Sequence, residues 1–434
     1  MPEHENKSIN FKKIGKTLIF FCLLAVAILM TSNLVRWKRG NYYKDEFFEK
    51  DRSYDLLFFG SSHMHEGVDP ITLWEEEGIT SYNLASSGEA IQLSYYVLKA
   101  ALEKTKPAAV VIDTYRISDD PGTINQEYSF AHETLDALPL GRTKLEAYKY
   151  AASFYEQGLL SFISSIYAFH DRYSALEKED FVRQVTYDKG AYIMTNICPA
   201  EPPVFYDKTP GKLKGGEGVS SYRKILELCK EEKVIPVLIN IPTNKGLYQK
   251  SAQEKTHALM EETRAAGGIA IDFDEERLEK IGLDYDYDFG DASHLNLFGA
   301  DKVGLEVAAE LKSALSLVDH RGDPAYAQWQ EDAEKWRQQR IELLSEKTEA
   351  VSYLLLTDDP VYSQRVYVKK PDLIEKHYGL EKALSVLGIE AIEADSDIVK
   401  GFDMKIEIRD AETDQWLAEQ YFLFNTGQSQ FVTE

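Results

Sequence analysis

Cysteine is scarce in this chain, basic charge is outweighed, and no long apolar run follows residue 35. The three cysteines are Cys22, Cys198 and Cys229. Cys22 lies in an apolar stretch, and Cys229 falls on the apolar face of a predicted helix. A small core residue is a simpler reading for Cys229 than a bridge to Cys198. Lysine and arginine number 49 against 72 aspartates and glutamates, a net charge of −23. Binding nucleic acid requires a basic face, which this balance argues against, and it equally opposes broad adhesion to anionic lipid. There is no internal repeat and no low-complexity tract. "GKLKGGEG" (Gly211–Gly218) is rich in glycine but lacks the G-K-[ST] ending of a phosphate loop. Asp284, Asp286 and Asp288 alternate with tyrosines without the glycine and terminal glutamate of a calcium loop, so a solvated acidic loop is expected.

What is present describes an ordinary globular protein, 44% hydrophobic and 28% charged over 434 residues, long enough for two or three folded units. The one long apolar run is residues 17–35, TLIFFCLLAVAILMTSNLV. As a helix at ~1.5 Å per residue it spans roughly 28 Å, the thickness of a hydrocarbon core. It is longer than a signal-peptide core and no A-x-A site follows it, so an uncleaved anchor is expected. Lys12, Lys13 and Lys16 precede it and Arg36, Lys38 and Arg39 follow, so flanking charge does not set its orientation. A short tail (1–16) before a large body suggests a cytoplasmic tail, a single pass and an extracytoplasmic body.

Beyond the anchor, short apolar runs alternate with helical periodicity. Strands are expected at 54–60, 79–85, 108–115, 234–241 and 268–274. Helices carry Ile91, Tyr95, Leu98 and Leu102; Val219, Tyr222, Ile225, Leu226 and Cys229; residues 253–266; and Leu297, Ala300, Val303, Val307 and Leu311. Five alternations imply an α/β fold with a doubly wound, five-stranded parallel sheet over 50–318. Residues 116–218 interrupt it as a long, aromatic-rich insert. Most of its aromatics are expected to pack helices, with a few lining a groove for sugar rings. A polar connecting helix is expected at 319–348, with Trp329, Trp336 and Leu343 seven apart. A small α+β module follows at 349–434, with strands at 351–356, 363–368, 402–409 and 416–424 around a helix at 372–387.

The first strand runs into "LLFFGSSHMHEGVDP" (Leu56–Pro70), where hydroxyls and imidazoles crowd its carboxyl end. A nucleophilic serine needs a base, a carboxylate behind the base, and donors for an oxyanion. "DFGDASHLNLFGADK" (Asp288–Lys302) supplies Asp291 and His294, three positions apart, after the fifth strand and before the closing helix. In a doubly wound sheet that is the same carboxyl edge as Ser62. His63 and His65 would suit a metal only with further ligands, and are read instead as loop histidines at the pocket mouth.

These two ends resemble the first and last conserved blocks of the SGNH/GDSL hydrolase superfamily. The resemblance covers roughly Tyr54–Leu315 outside the insert, and it extends to membrane-anchored members that act on exported polymers, such as the D-alanyl-transfer protein of teichoic acid D-alanylation and the alginate acetylation proteins. It implies a flavodoxin-like SGNH fold with Ser62 as nucleophile, His294 as base and Asp291 as its orienter. "YNLASSG" (Tyr82–Gly88) resembles the second block, so Gly88 and Ser62 would give amides to the oxyanion. Ser61 stands where aspartate is usual and VIDTYRI where G-x-N-D is usual, which leaves the asparagine donor unassigned, with Asn83 a candidate only if its loop folds inward. The implied function is a serine esterase or O-acyltransferase on acyl esters of a cell-surface polymer or glycan, without a cofactor. The insert would cover the acyl-enzyme. The missing asparagine block motivates an alternative, a non-catalytic membrane-tethered scaffold or glycan-binding component with envelope protein partners.

Overall fold

The computed structural model describes residues 11–36, 42–117, 128–176, 178–182, 185–196, 198–213, 215–286 and 288–348, then 350, 353–354, 357, 360–375, 378–424 and 428–433. An apolar helix, Phe11–Val35, leads the chain; its stretch Gly15–Val35 is long and apolar enough to cross a membrane, and only 6% of its most apolar window is buried.

Five strands form the first sheet: β1 Leu56–Phe59, β2 Ser81–Asn83, β3 Ala109–Asp113, β4 Ile235–Ile239 and β5 Ile269–Ile271, in the order β2-β1-β3-β4-β5. Every pairing is parallel. Alternation along the strands explains the two layers. Leu57, Phe59, Val110, Ile112 and Leu238 face a core shared with helices Ile91–Lys104 and Glu217–Glu232. Leu56, Phe58, Val111, Val237 and Ile239 face the opposite core, closed by Val303, Val307 and Leu311 of helix Leu297–Leu315. A sheet buried on both faces needs apolar residues at consecutive positions, which is why β1 and β3 read as unbroken runs. Cys229 sits in the first core, and neither it nor Cys198 is bridged.

The order reverses between β1 and β3, and the crevice at the carboxyl ends of those strands is where open α/β sheets place their sites. Gly60 lets the chain leave β1 there. Its φ is +144°, and an added Cβ would lie 2.1 Å from Asp113 Oδ2 at the end of β3. That closeness is used: Asp113 accepts from the Ser61 N–H at 2.9 Å and the Tyr115 N–H at 2.8 Å.

The expected connecting helix starts later than its polar sequence suggests, at Ala327, after a short 3₁₀ turn begun by Pro324. It packs on the body: Trp329 stacks on Trp74 at 5.4 Å, and the Trp336 indole donates to buried Asp69 at 2.7 Å. A second sheet follows, ordered β10-β9-β8-β6-β7: β6 Tyr362–Val368, β7 Ile392–Glu393, β8 Met404–Asp410, β9 Trp416–Leu423 and β10 Gln428–Thr433. The expected strand at 351–356 lies largely outside the described residues, and Tyr353 and Leu354 are helical.

Candidate active site

The sheet brings positions 62 and 294 together across 232 residues of sequence. Ser62 Oγ lies 2.8 Å from His294 Nε2. His294 Nδ1 lies 2.8 Å from Asp291 Oδ2. An ionised carboxylate only accepts, so the proton belongs on Nδ1 and the Nε2 lone pair faces the Ser62 hydroxyl. The Asp291 carboxylate is itself held by its turn, accepting from the N–H groups of Ser293 at 2.7 Å and His294 at 2.8 Å. Partial burial pushes its pKa up, but the imidazole and these N–H groups outweigh burial and hold the carboxyl below its usual range.

The turn is fixed from both sides. Gly290 N–H donates to His294 O at 2.9 Å and Asn296 N–H to Asp288 O at 3.0 Å. Thr243, beyond β4, donates to Ser293 O at 3.0 Å, and Asn244 donates to Ala292 O. Asp288 is not the solvated residue the acidic run suggested. It is fully buried, bonded by Lys302 and by the Asp284 N–H at 2.6 Å, whereas Asp286 is exposed. The Lys302 ammonium, delivered by the closing helix, is what makes that burial tolerable.

Ser62 opens the short helix Ser62–Gly67, and among the described residues its N–H donates to no other group. The Gly88 N–H is likewise uncommitted. Gly88 has φ +61°, and a Cβ there would strike the Phe130 ring at 2.5 Å. Its loop runs beside the serine turn, with Leu84 N–H donating to Phe58 O at 2.8 Å and Ser86 N–H to Gly60 O at 3.2 Å. Behind it lies a fully buried cluster: Lys44 donates to Ser86 Oγ at 2.9 Å and to Glu89 at 3.1 Å, and Ser94 donates to Glu89 at 2.6 Å.

Asn83 does not serve as the expected side-chain donor. Both amide hydrogens are committed to backbone, to Met64 O at 2.9 Å and Val68 O at 3.1 Å, and its oxygen accepts from the Ala85 N–H. Asn83 therefore shapes the serine-bearing segment and offers nothing to an oxyanion. His63 and His65 are buried side chains of the short helix, not exposed loop residues. His63 sits 4.5 Å ring to ring from His294, and burial, reinforced by His294, pushes it well below its ordinary value. Burial also brings His65 down to about 3. Both are neutral at pH 7.

Two features were not singled out from sequence. Glu66 is buried with Oε2 3.7 Å from His294 Nδ1, and burial, reinforced by the Asp291 charge, pushes its carboxyl up to about 8. The second is a strap formed by the last part of the insert. Lys189 O accepts from Asn83 N–H, Tyr192 N–H donates to His65 O, Met194 O accepts from Leu297 N–H, and Cys198 N–H donates to Phe289 O. The strap ties the serine loop, the β2 loop and the Asp-His turn together. Glu66 carried a weak signal, a carboxylate four residues after Ser62, but the strap has no periodicity that sequence reasoning could use.

Comparison with models of known protein families gives no match, and neither does comparison with curated proteins.

Proposed function

We propose that the protein is a membrane-anchored serine esterase or O-acyltransferase of the SGNH type, working through an acyl-enzyme on an acylated cell-surface polymer. The observation that carries the reading is the continuous Ser62–His294–Asp291 chain, with both links at 2.8 Å. Ser62 Oγ attacks the acyl carbonyl while its proton passes to His294 Nε2. The carboxylate of Asp291 stabilises the imidazolium that forms. The free N–H groups of Ser62 and Gly88 are the donors offered to the oxyanion. Collapse of the tetrahedral intermediate returns the proton from Nε2 to the departing alcohol. Water or a sugar hydroxyl then attacks the acyl-Ser62 ester, with His294 again acting as base.

The anchor part of the reading rests on how the body grips the apolar helix. Arg172, from the insert, donates to the terminal carbonyls of Leu34, Val35 and Arg36, and Arg36 pairs with Asp45. Loss of residues 1–35 would remove two of those three carbonyls and the helix that presents them, so retention is favoured over cleavage. Retention in turn motivates a substrate at the outer membrane face, with residues 1–16 inside.

The test is labelling by a serine-reactive fluorophosphonate. Wild-type protein is expected to label at Ser62, with loss of the adduct in Ser62→Ala and a large slowing in His294→Ala. Undiminished labelling of Ser62→Ala defeats the assignment. Absence of any labelling, together with tight binding of a surface glycan, favours the scaffold reading, which the lack of a side-chain oxyanion donor at Asn83 motivates.

A further inference from the structure

The apolar helix and the insert enclose a second concave site, far in sequence from Ser62. A cavity of about 390 Å³ lies between the last turns of that helix and the insert helices Arg142–Phe154 and Leu159–Ile163. Leu29 and Arg36 line it from one side, and Leu140, Lys144, Leu145 and Phe162 from the other. The same insert leaves large apolar side chains in the open. Leu140 is 94% exposed, and Leu160, Ile163, Tyr167, Tyr173 and Phe181 all exceed half exposure. A soluble surface rarely gathers so many. Tyr167, Tyr173 and Phe181 sit on the short elements Ser165–Ala168, His170–Ala175 and Lys178–Phe181, all of which pack directly on the apolar helix.

The geometry points to a phospholipid of the surrounding bilayer as the occupant of this cavity, with the exposed apolar residues of the insert seated in the same leaflet. This rests on the reading of the first helix as a retained membrane span. Leu29 is 68% exposed and continuous with the other open apolar side chains from Leu18 to Met30. Whatever covers that face therefore runs into the cavity mouth, and inside a bilayer that is lipid. The headgroup chemistry follows from donors left over at the rim. Lys144 gives two hydrogens to the carbonyls of Asp136 at 2.6 Å and Leu138 at 2.9 Å, which leaves the third. Arg36, which also lines the cavity, pairs with Asp45 through its terminal nitrogens. The nearby acid Asp136 is occupied by His132 and by the Tyr148 hydroxyl. The remaining Lys144 hydrogen, beside the Arg36 guanidinium, calls for an acceptor-rich anion, and the phosphate of a lipid brings one to this level while its acyl chain follows Leu29 and Phe162. Exposed Tyr167 and Tyr173, on insert elements packed against the apolar helix, suit the interfacial layer. The strongly acidic remainder of the surface does not conflict with this, because the two cations are local.

The experiment uses the full chain in phosphatidylcholine vesicles doped with a phosphatidylcholine that carries a photoreactive acyl chain. After irradiation, adducts are mapped by peptide mass spectrometry. Adducts are expected within residues 17–30 and also within 140–145 and 162–163. Gly141→Trp fills the cavity without a backbone clash, since a Cβ there meets nothing nearer than Pro139 O at 4.0 Å. This variant, checked for an unchanged melting temperature, is expected to lose the 140–163 adducts and keep those on the helix. Helix adducts without any at 140–163 overturn the cavity proposal and leave the span intact. A chain that washes off vesicles in alkaline carbonate and yields no adducts anywhere overturns the span itself. A photoreactive diacylglycerol that labels 140–145 as strongly as the phospholipid overturns the phosphate contact.

Discussion

Replacing Asp291 by asparagine tests the site at its most exposed link. Asparagine keeps an oxygen for the N–H groups of Ser293 and His294, so the turn is expected to hold. Two contributions are lost. One is the attraction between carboxylate and imidazolium, about 4 kcal/mol for unit charges some 4 Å apart at an effective dielectric of 20. The Asp291 side chain is 46% exposed, so solvent screening cuts this to about 2 kcal/mol. The other is the tautomer. An asparagine NH₂ facing Nδ1 favours the proton on Nε2, which removes the lone pair that Ser62 needs, at a further cost of about 1–2 kcal/mol. The acylation rate at pH 7 should therefore fall about 10²–10³-fold, measured as the rate of fluorophosphonate labelling with the melting temperature unchanged. Glu66 adds a signature that a merely structural defect lacks. Without the Asp291 charge its carboxyl ionises at lower pH, and its negative charge 3.7 Å from Nδ1 partly replaces the missing one. The deficit should shrink as pH rises through a value below about 8 and remain full when Glu66→Gln is added. Labelling of Asp291→Asn at the wild-type rate, or a deficit indifferent to both pH and Glu66, would refute this reasoning.

Other outcomes follow from the same contacts. Burial is the leading cause of the raised carboxyls of Glu66, Asp69, Asp113 and Asp188, which lie at about 8, 6, 6 and 7. Each holds its proton more tightly folded than unfolded, so the stability they confer is complete at low pH and is lost as pH rises through these values. The melting temperature should fall between about pH 4 and 8, and Glu66→Gln should flatten the upper part of that decline; a rise over this range contradicts the assignment. Lys44→Met leaves Glu89 buried without its cation and should cost about 3–5 kcal/mol in urea unfolding, whereas a cost near zero would show the pair to be solvated. Asn83→Ala should lower stability by about 2–4 kcal/mol through its lost backbone bonds while the folded fraction labels normally. A large rate loss at unchanged stability would restore Asn83 as an oxyanion donor.

The sheet was largely legible because each strand is covered on both faces and leaves an unbroken apolar run, as Leu56–Phe59 does. Ser62 and His294 could be placed on one edge because parallel strands put all their carboxyl ends together. Residue type alone misplaced Asn83. An amide suits an oxyanion and a backbone carbonyl equally, and only the path of residues 64–68 decides between them. Burial hid Glu66 and Asp288, since a carboxylate in a polar stretch looks the same whether or not a lysine from a distant helix reaches it. The helix Ala327–Thr348 was visible as a helix but not as part of the body, because its contacts run through Trp336 to Asp69, 267 residues away. The strap, at residues 189–196 and 198–200, was illegible for the same reason. Its structure is a set of backbone bonds to three other loops, and backbone bonds leave no mark in side-chain pattern.

The most direct measurement is peptide-mapped mass spectrometry after brief exposure of the full chain to an activated acetyl ester, followed by a chase in buffer. An acetyl group on the Ser62 peptide is expected, decaying in the chase and absent from both Ser62→Ala and His294→Ala. A chain that gains no acetyl group, or gains one elsewhere that survives Ser62→Ala, would contradict the proposed chemistry outright.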